Sequence, residues 1–94
     1  MSEKYKTPLT DALFEAILSL QSMEACGKFF EDVCTVKEIQ DMALRLEVAR
    51  QLKQGVTVAT IAQSLGVSTT TVSRVNRCLH YGSGGYDLVL KKND

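Results

Sequence analysis

The 94-residue chain contains no tryptophan, one proline and one histidine, and it has no apolar run of the roughly 18 residues that a membrane-spanning helix needs. Low glycine and proline contents exclude a largely disordered chain. With a single histidine and no phosphate-binding glycine loop, the sequence also lacks the residue sets from which most catalytic sites are built. We therefore expect a soluble globular protein that is not an enzyme.

The polar N-terminal stretch MSEKYKTPLTD lacks the cationic and apolar segments of a signal peptide, which predicts a cytoplasmic protein. Cys26, Cys34 and Cys78 are odd in number and form no CxxC pair, so they are predicted to be free thiols, most simply small buried side chains. Cys78 and His80 lack the two further ligands of a zinc site, and no metal site is predicted.

Acidic residues are absent from one long stretch of the chain. Residues 1–47 hold nine acids and five bases, residues 48–86 hold no acid and four bases, and residues 87–94 hold two of each. The four bases are Arg50, Lys53, Arg74 and Arg77. The four positive charges of this block are a modest indication of a surface that binds a polyanion. A dimer would double them to about eight. The alternative is a solvated surface that happens to lack acids.

Apolar residues at helical spacing predict helices along most of the chain. A Thr7–Pro8 pair starts the first helix, which extends to about Gln21, and a second helix follows Ser22. Thr35 and Glu38 form a capping box for a long third helix that stops at Gly55. The apolar face of that third helix is predicted to consist of Ile39, Met42, Ala43, Leu46, Ala49 and Leu52.

Two shorter helices follow. Thr57 caps the fourth, and Ser68 caps a fifth that ends at about Leu79 or Tyr81, before the GSGG loop. In the segment 86–92 the apolar residues are consecutive, which leaves its form open between helix and strand. The whole chain, residues 1–94, is predicted to be one domain.

The stretch VATIAQSLGVSTTTVSRVNR, residues 58–77, meets the requirements of two helices crossing closely at a tight turn. Ala62 is the small residue at the crossing and Gly66 is the turn residue that tolerates a positive φ. The predicted shared core is Ile61, Leu65, Val67, Val72 and Val75. This pattern resembles the helix-turn-helix of DNA-binding proteins, here spanning residues 57–81.

Polar side chains remain outside the core on the second helix of this motif. They are Ser68, Thr69, Thr70, Thr71, Ser73, Arg74 and Arg77, and they are the predicted DNA-binding residues. Hydroxyls at a helix start can bond base edges or phosphates, and arginines can bind phosphates. The alternatives are a helix cap for Ser68 and solubilising charges for the arginines; His80 and Tyr81 are predicted to form a packed helix end.

The order of helices gives a wider resemblance. The segments CTVKEIQDMALRLEVARQLKQG and STTTVSRVNRCLHYGSGGYDLVL resemble the Trp repressor family and its YerC/YecD-type subgroup. The resemblance implies an all-α, intertwined homodimer with one helix-turn-helix reading head per chain. Residues 7–55 would then supply the dimerisation helices, residues 57–81 the helix-turn-helix, and residues 82–94 a C-terminal loop and short helix.

The resemblance also implies residues for an effector site. Arg45 and Arg74 match the two arginines that hold the amino-acid corepressor in the Trp repressor, and Thr35 matches a threonine. Val75 stands where the repressor has glycine, and its branched side chain fills the space that an indole needs. Cys78 stands where the repressor has serine, and a thiol forms weaker hydrogen bonds than a hydroxyl. Tryptophan binding is therefore not expected, and no cofactor is predicted.

Two functions from different classes follow. The first is a sequence-specific transcriptional regulator, a repressor by resemblance, that binds double-stranded DNA through the major groove as a homodimer. The second is a protein-protein interaction module that retains the helix-turn-helix only as a packing unit. Arg45 also has a second interpretation, as an exposed i, i+4 partner of Asp41.

Overall fold

The computed structural model describes residues 3–90, and within them the chain is all-helical. The helices are α1 (Pro8–Leu18), α2 (Met23–Val33), α3 (Val36–Lys53), α4 (Val58–Leu65), α5 (Thr69–Tyr81) and α6 (Gly85–Val89). The chain divides into two compact units, Met1–Ile39 and Gln40–Asp94. The part of the predicted dimerisation segment that follows Ile39 thus lies in the same unit as the helix-turn-helix.

In the first unit, hydroxyl caps set the helix starts as predicted. Thr7 Oγ1 accepts the Thr10 N–H at 3.1 Å, and Ser22 Oγ accepts the Ala25 N–H at 3.0 Å. The predicted end of the first helix at Gln21 is wrong, because α1 ends at Leu18. The Ser19 hydroxyl donates to the Ala16 carbonyl oxygen at 2.6 Å, so a side chain takes over a carbonyl of the last turn.

The capping box of α3 is confirmed in both directions. The Thr35 N–H donates to Glu38 Oε1 at 2.9 Å, and the Glu38 N–H donates to Thr35 Oγ1 at 3.0 Å. After α3 the chain turns at Gly55, whose φ of +90° favours glycine. The segment left open between helix and strand is helical up to Val89, and residues 91 and 92 lie outside the described residues.

The buried core lies in the second unit. It consists of Val48, Ala49, Ile61, Ala62, Val72 and Val75. Val48 has no exposed surface, yet it is absent from the apolar face predicted for α3, whose members Met42 and Leu46 are instead 38% and 41% exposed. Ala49 and Leu52 of the predicted face do reach this core. The prediction is wrong for Met42 and Leu46, because only the C-terminal turns of α3 pack with α4 and α5.

Candidate nucleic-acid interface

The turn between α4 and α5 depends on one glycine. Gly66 has φ +68° and ψ +33°, the left-handed conformation that glycine adopts without steric cost. The N–H of Val67 donates to the Ala62 carbonyl oxygen at 3.1 Å and closes the turn. The chain thereby changes direction within three residues, so that α5 packs across α4.

The two helices are held together by the apolar side chains predicted for the crossing. Ile61 and Val72 are fully buried, and Val75 is 2% exposed. Leu65 and Val67 are half-buried and pack against this cluster, so the predicted shared core is confirmed. Val48 and Ala49 of α3 belong to the same cluster, which fixes α5 against two helices rather than one.

The first turn of α5 is capped by Ser68. Its Oγ accepts the Thr71 N–H at 3.0 Å, and its hydroxyl donates to Thr71 Oγ1 at 3.1 Å. Thr71 is half-buried, whereas Thr69 and Thr70 are exposed. The predicted DNA-binding hydroxyls of Ser68 and Thr71 are therefore bonded to each other in the helix cap. Those of Thr69 and Thr70 are exposed and available to a partner.

A shallow depression runs along α5 on the side away from the core, and we call its lining the outer face of α5. The lining residues are Thr69, Thr70, Ser73, Arg74, Asn76, Arg77, His80 and Tyr81. The structure thus brings together five of the seven predicted DNA-binding residues and leaves out Ser68 and Thr71. The depression also includes Asn76, His80 and Tyr81, which were not predicted from the sequence as DNA-binding residues. They lie three or four residues after Ser73 or Arg77, and this spacing places them on the same side of a helix.

His80 and Tyr81 do not form the packed helix end that the sequence predicted. Tyr81 is 84% exposed, and its ring centroid lies 6.1 Å from that of His80. The His80 Nδ1–H donates to the Asn76 carbonyl oxygen at 2.9 Å, one turn earlier in the helix. Both rings are thus part of the exposed surface of α5, and the earlier prediction is wrong because no described element covers this turn.

Within the acid-free block, residues 48–86, ion pairs neutralise the two bases that lie outside α5. Arg50 pairs with Glu47 at 2.6 Å, and Lys53 pairs with Asp87 at 2.6 Å. Hydrogen bonds from Arg50 and Gln51 lower the pKa of Glu47 to about 2, so that its carboxylate stays charged and paired with Arg50 even in mildly acidic solution.

Within residues 3–90, Arg74 and Arg77 form no ion pair. The predicted footprint of four positive charges per chain is thus reduced to two guanidinium groups that are not neutralised by a neighbouring acid. Both lie on the outer face of α5.

The residues implied for an effector site do not converge in the second unit. Arg45 lines an open groove together with Cys78, the apolar side chains Met42, Leu46, Tyr86 and Val89, and the loop residues Gly82, Ser83 and Gly85. Arg74 lies instead on the outer face of α5. Arg45 is exposed, and its pairing with Asp41 stays a prediction. Thr35 belongs to the first unit, where its hydroxyl caps α3.

All three cysteines are free thiols, as predicted. The expectation that they are buried is wrong for Cys26 and Cys78, which are exposed, and Cys34 is half-buried. No three histidine, cysteine or acidic side chains come close enough to hold a metal ion in the part of the chain that the structure describes. Similarly, none of the helices found in residues 3–90 combines the length and the apolar character required to cross a bilayer.

The short αL turn, the small crossing residue, the shared core and the exposed second helix define a helix-turn-helix protein. The family model of the Trp repressor protein matches residues 9–94. The chain therefore belongs to the Trp repressor family, a family of helix-turn-helix DNA-binding regulators, and it is of the YerC type.

Relatives cover nearly the full length of the chain. YerC of Bacillus subtilis (strain 168) is 48% identical over 90 residues, which are 96% of this chain and 86% of YerC. A TrpR-like protein from Eubacterium eligens ATCC 27750 superimposes with a TM-score of 0.87 at 49% identity, covering 94% of this chain and 91% of that chain. A chain from Staphylococcus aureus gives a TM-score of 0.87 at 50% identity, with 94% and 88% covered. These similarities confirm the Trp repressor-like all-α fold predicted from the sequence.

Proposed function

We propose that this protein is a sequence-specific DNA-binding transcriptional regulator, a repressor, that inserts α5 into the major groove of duplex DNA as a homodimer. The observation that carries the proposal is the outer face of α5, where hydroxyls, an amide and two unpaired guanidinium groups lie opposite a buried apolar core. A buried core fixes the helix, and the polar face is left for a partner. The absence of acids from residues 48–86 favours a polyanion as that partner.

The positions of the side chains along α5 match the two kinds of contact that a reading helix makes. Thr69, Thr70 and Ser73 lie in its first turns, the part of a reading helix that approaches base edges, where hydroxyls bond bases and methyl groups pack on thymine. Arg74 and Arg77 follow within the next turn and suit phosphate oxygens. Phosphate contacts supply affinity, whereas the hydroxyl contacts supply sequence preference.

The homodimer is supported by the exposed apolar surface of the first unit. No residue of α1 or α2 is buried, and Leu9, Leu18 and Met23 are each more than 80% exposed. Apolar surface on this scale is stabilised when a second copy covers it, at roughly 25 cal/mol for each Å² removed from water. A dimer also doubles the free positive charge and places two reading helices on successive major grooves, roughly 34 Å apart.

Selection of duplexes from a random pool, at near-physiological salt, tests the proposed function. We expect enrichment of a palindrome whose half-sites lie about one helical turn apart. The variant Thr70→Ala should enrich a different base at one position of each half-site, because a mismatched contact costs about 1–3 kcal/mol. Transcription from a promoter that carries the palindrome should fall when the protein is added. Failure to enrich any palindrome, with the chain folded, would favour the interaction module instead.

The homodimer is tested by Leu18→Glu, which places a charge on the exposed apolar surface of α1. We expect the dimer dissociation constant to rise about a hundredfold or more in sedimentation, because burial of an unpaired charge costs several kcal/mol. The matched control is Gln21→Glu, which adds the same charge at an exposed polar position nearby. Equal dissociation constants for the two variants would place the dimer surface elsewhere.

We further propose that L-tryptophan is not an effector of this protein. Val75 is buried in the core, and Arg45 and Arg74 line separate depressions. We expect millimolar tryptophan to leave both the melting temperature and the DNA affinity unchanged, since a ligand that binds the native state raises its stability. A tryptophan-dependent rise in melting temperature would contradict this prediction.

A further inference from the structure

Beyond the residues predicted from the sequence, the outer face of α5 continues to the last turn of the helix. His80 and Tyr81 line the same depression as Arg74 and Arg77, and Tyr81 is largely exposed. A helix of 13 residues is about 20 Å long, so its two ends meet different parts of a duplex when one end lies in the groove. With the first turns in the groove, we expect the last turn to lie at the sugar-phosphate backbone rather than at the bases.

The hydrogen bond of His80 determines what this side chain can offer to a partner. A carbonyl oxygen can only accept, so Nδ1 carries the proton in the bond to the Asn76 carbonyl. In the neutral ring, Nε2 then has a lone pair and cannot donate to a phosphate. Protonation of Nε2 adds both a donor and a positive charge and leaves the Asn76 bond in place.

We propose, on the basis of the DNA-binding function above, that protonated His80 is a phosphate-binding residue of α5, so that each chain takes up a proton when it binds duplex DNA. The phosphodiester group supplies the negative charge that stabilises the imidazolium, and Arg77 and the exposed Tyr81 hydroxyl contribute further donors from the same turn. Sequence preference is unaffected, because a phosphate contact carries no base information.

Among residues 3–90, no carboxylate lines the depression that contains His80. The other ionisable residues lining its depression are Arg74, Arg77 and Tyr81, none of which is acidic. The α4 helix, which packs on α5, contains no ionisable side chain. On α3, Glu47 is held by Arg50, Glu38 accepts the Thr35 N–H, and Asp41 has an interaction of its own. On α6, Asp87 is held by Lys53. A phosphate of the bound DNA is then the negative partner that we propose for the protonated ring.

The experiment measures the affinity of the full chain for a random-sequence duplex of about 30 base pairs, at several salt concentrations, near pH 8 and near pH 6. For the wild type we expect about tenfold tighter binding near pH 6 than near pH 8. The salt slope, which is the change of log K with the logarithm of the salt concentration, should be steeper by about 1.8 near pH 6, because a dimer gains two phosphate contacts. His80→Gln, which cannot be protonated, should lose both changes. His80→Lys, a permanent cation, should show the steep slope at both pH values.

A second measurement uses the fact that His80 is the only histidine of the chain. Its imidazole C–H resonances can be followed during a pH titration, and we expect the protonated form to persist to higher pH with the duplex than without it. If all three proteins bind with the same pH and salt dependence, His80 is not a phosphate-binding residue, although the proposed function stands. If the folded wild type binds no duplex at either pH, the proposed function itself is overturned.

Discussion

Replacing Arg74 and Arg77 together with alanine is expected to weaken binding to every duplex by roughly a hundredfold to a thousandfold near physiological salt. The two guanidinium groups are the free positive charges of the outer face of α5, whereas Arg50 and Lys53 are already paired with acids. A dimer would lose four phosphate contacts, which should reduce the salt slope by about 3.6. Titrations of a labelled duplex at several salt concentrations measure both quantities.

The matched control for the double variant is Arg50→Ala. It removes the same kind of charge from the same acid-free block, but the removed guanidinium is bound to Glu47 and is absent from the outer face of α5. We expect less than about a threefold change in affinity and an unchanged salt slope. If Arg50→Ala weakened binding as much as the loss of one α5 arginine, net charge rather than the geometry of α5 would explain the affinity.

The variant Ile61→Ala is expected to lower the free energy of unfolding by about 2–5 kcal/mol. Ile61 has no exposed surface and packs among Val48, Val72 and Val75, so its truncation leaves a cavity between three helices. Because this core holds α5 in place, DNA binding should fail at a lower temperature than in the wild type. Chemical denaturation at a fixed protein concentration measures the change, since a dimer's stability depends on concentration.

Ile61→Val provides the graded control for the core. It removes one methylene group and should cost only about 0.5–1.5 kcal/mol, with the outer face of α5 unaltered. A truncation at an exposed site, Val89→Ala in α6, should change the free energy of unfolding by less than about 0.5 kcal/mol. Similar losses for Ile61→Ala and Val89→Ala would mean that α4 and α5 are not held by the apolar cluster.

Helix starts could be predicted from the sequence because their signals are local. A hydroxyl at Thr7, Ser22 or Ser68 satisfies an N–H three residues later, whatever the rest of the chain does. The turn at Gly66 is local in the same sense, because its left-handed backbone depends on one residue. The family resemblance rests on these same local features, arranged in a particular order along the chain.

Burial and exposure were harder to predict because they depend on partners distant in sequence. Val48 and Met42 both lie on apolar sides of α3, and only the positions of α4 and α5 decide which of them enters the core. The exposure of Cys78 and Tyr81 has the same origin. The free charge on α5 could not be read from composition either, since it depends on which acids reach Arg50 and Lys53.

The shared core of α3, α4 and α5 also limits how the proposed repressor could be regulated. Val48 and Ala49 lock the end of α3 to both helices of the reading head, so these elements are expected to move as one rigid body. A signal that alters operator occupancy would therefore act on the distance and angle between the two heads of a dimer, leaving the shape of each head unchanged. Such a signal would then change which half-site spacing the dimer accepts, and it would leave the base preference of each head unchanged.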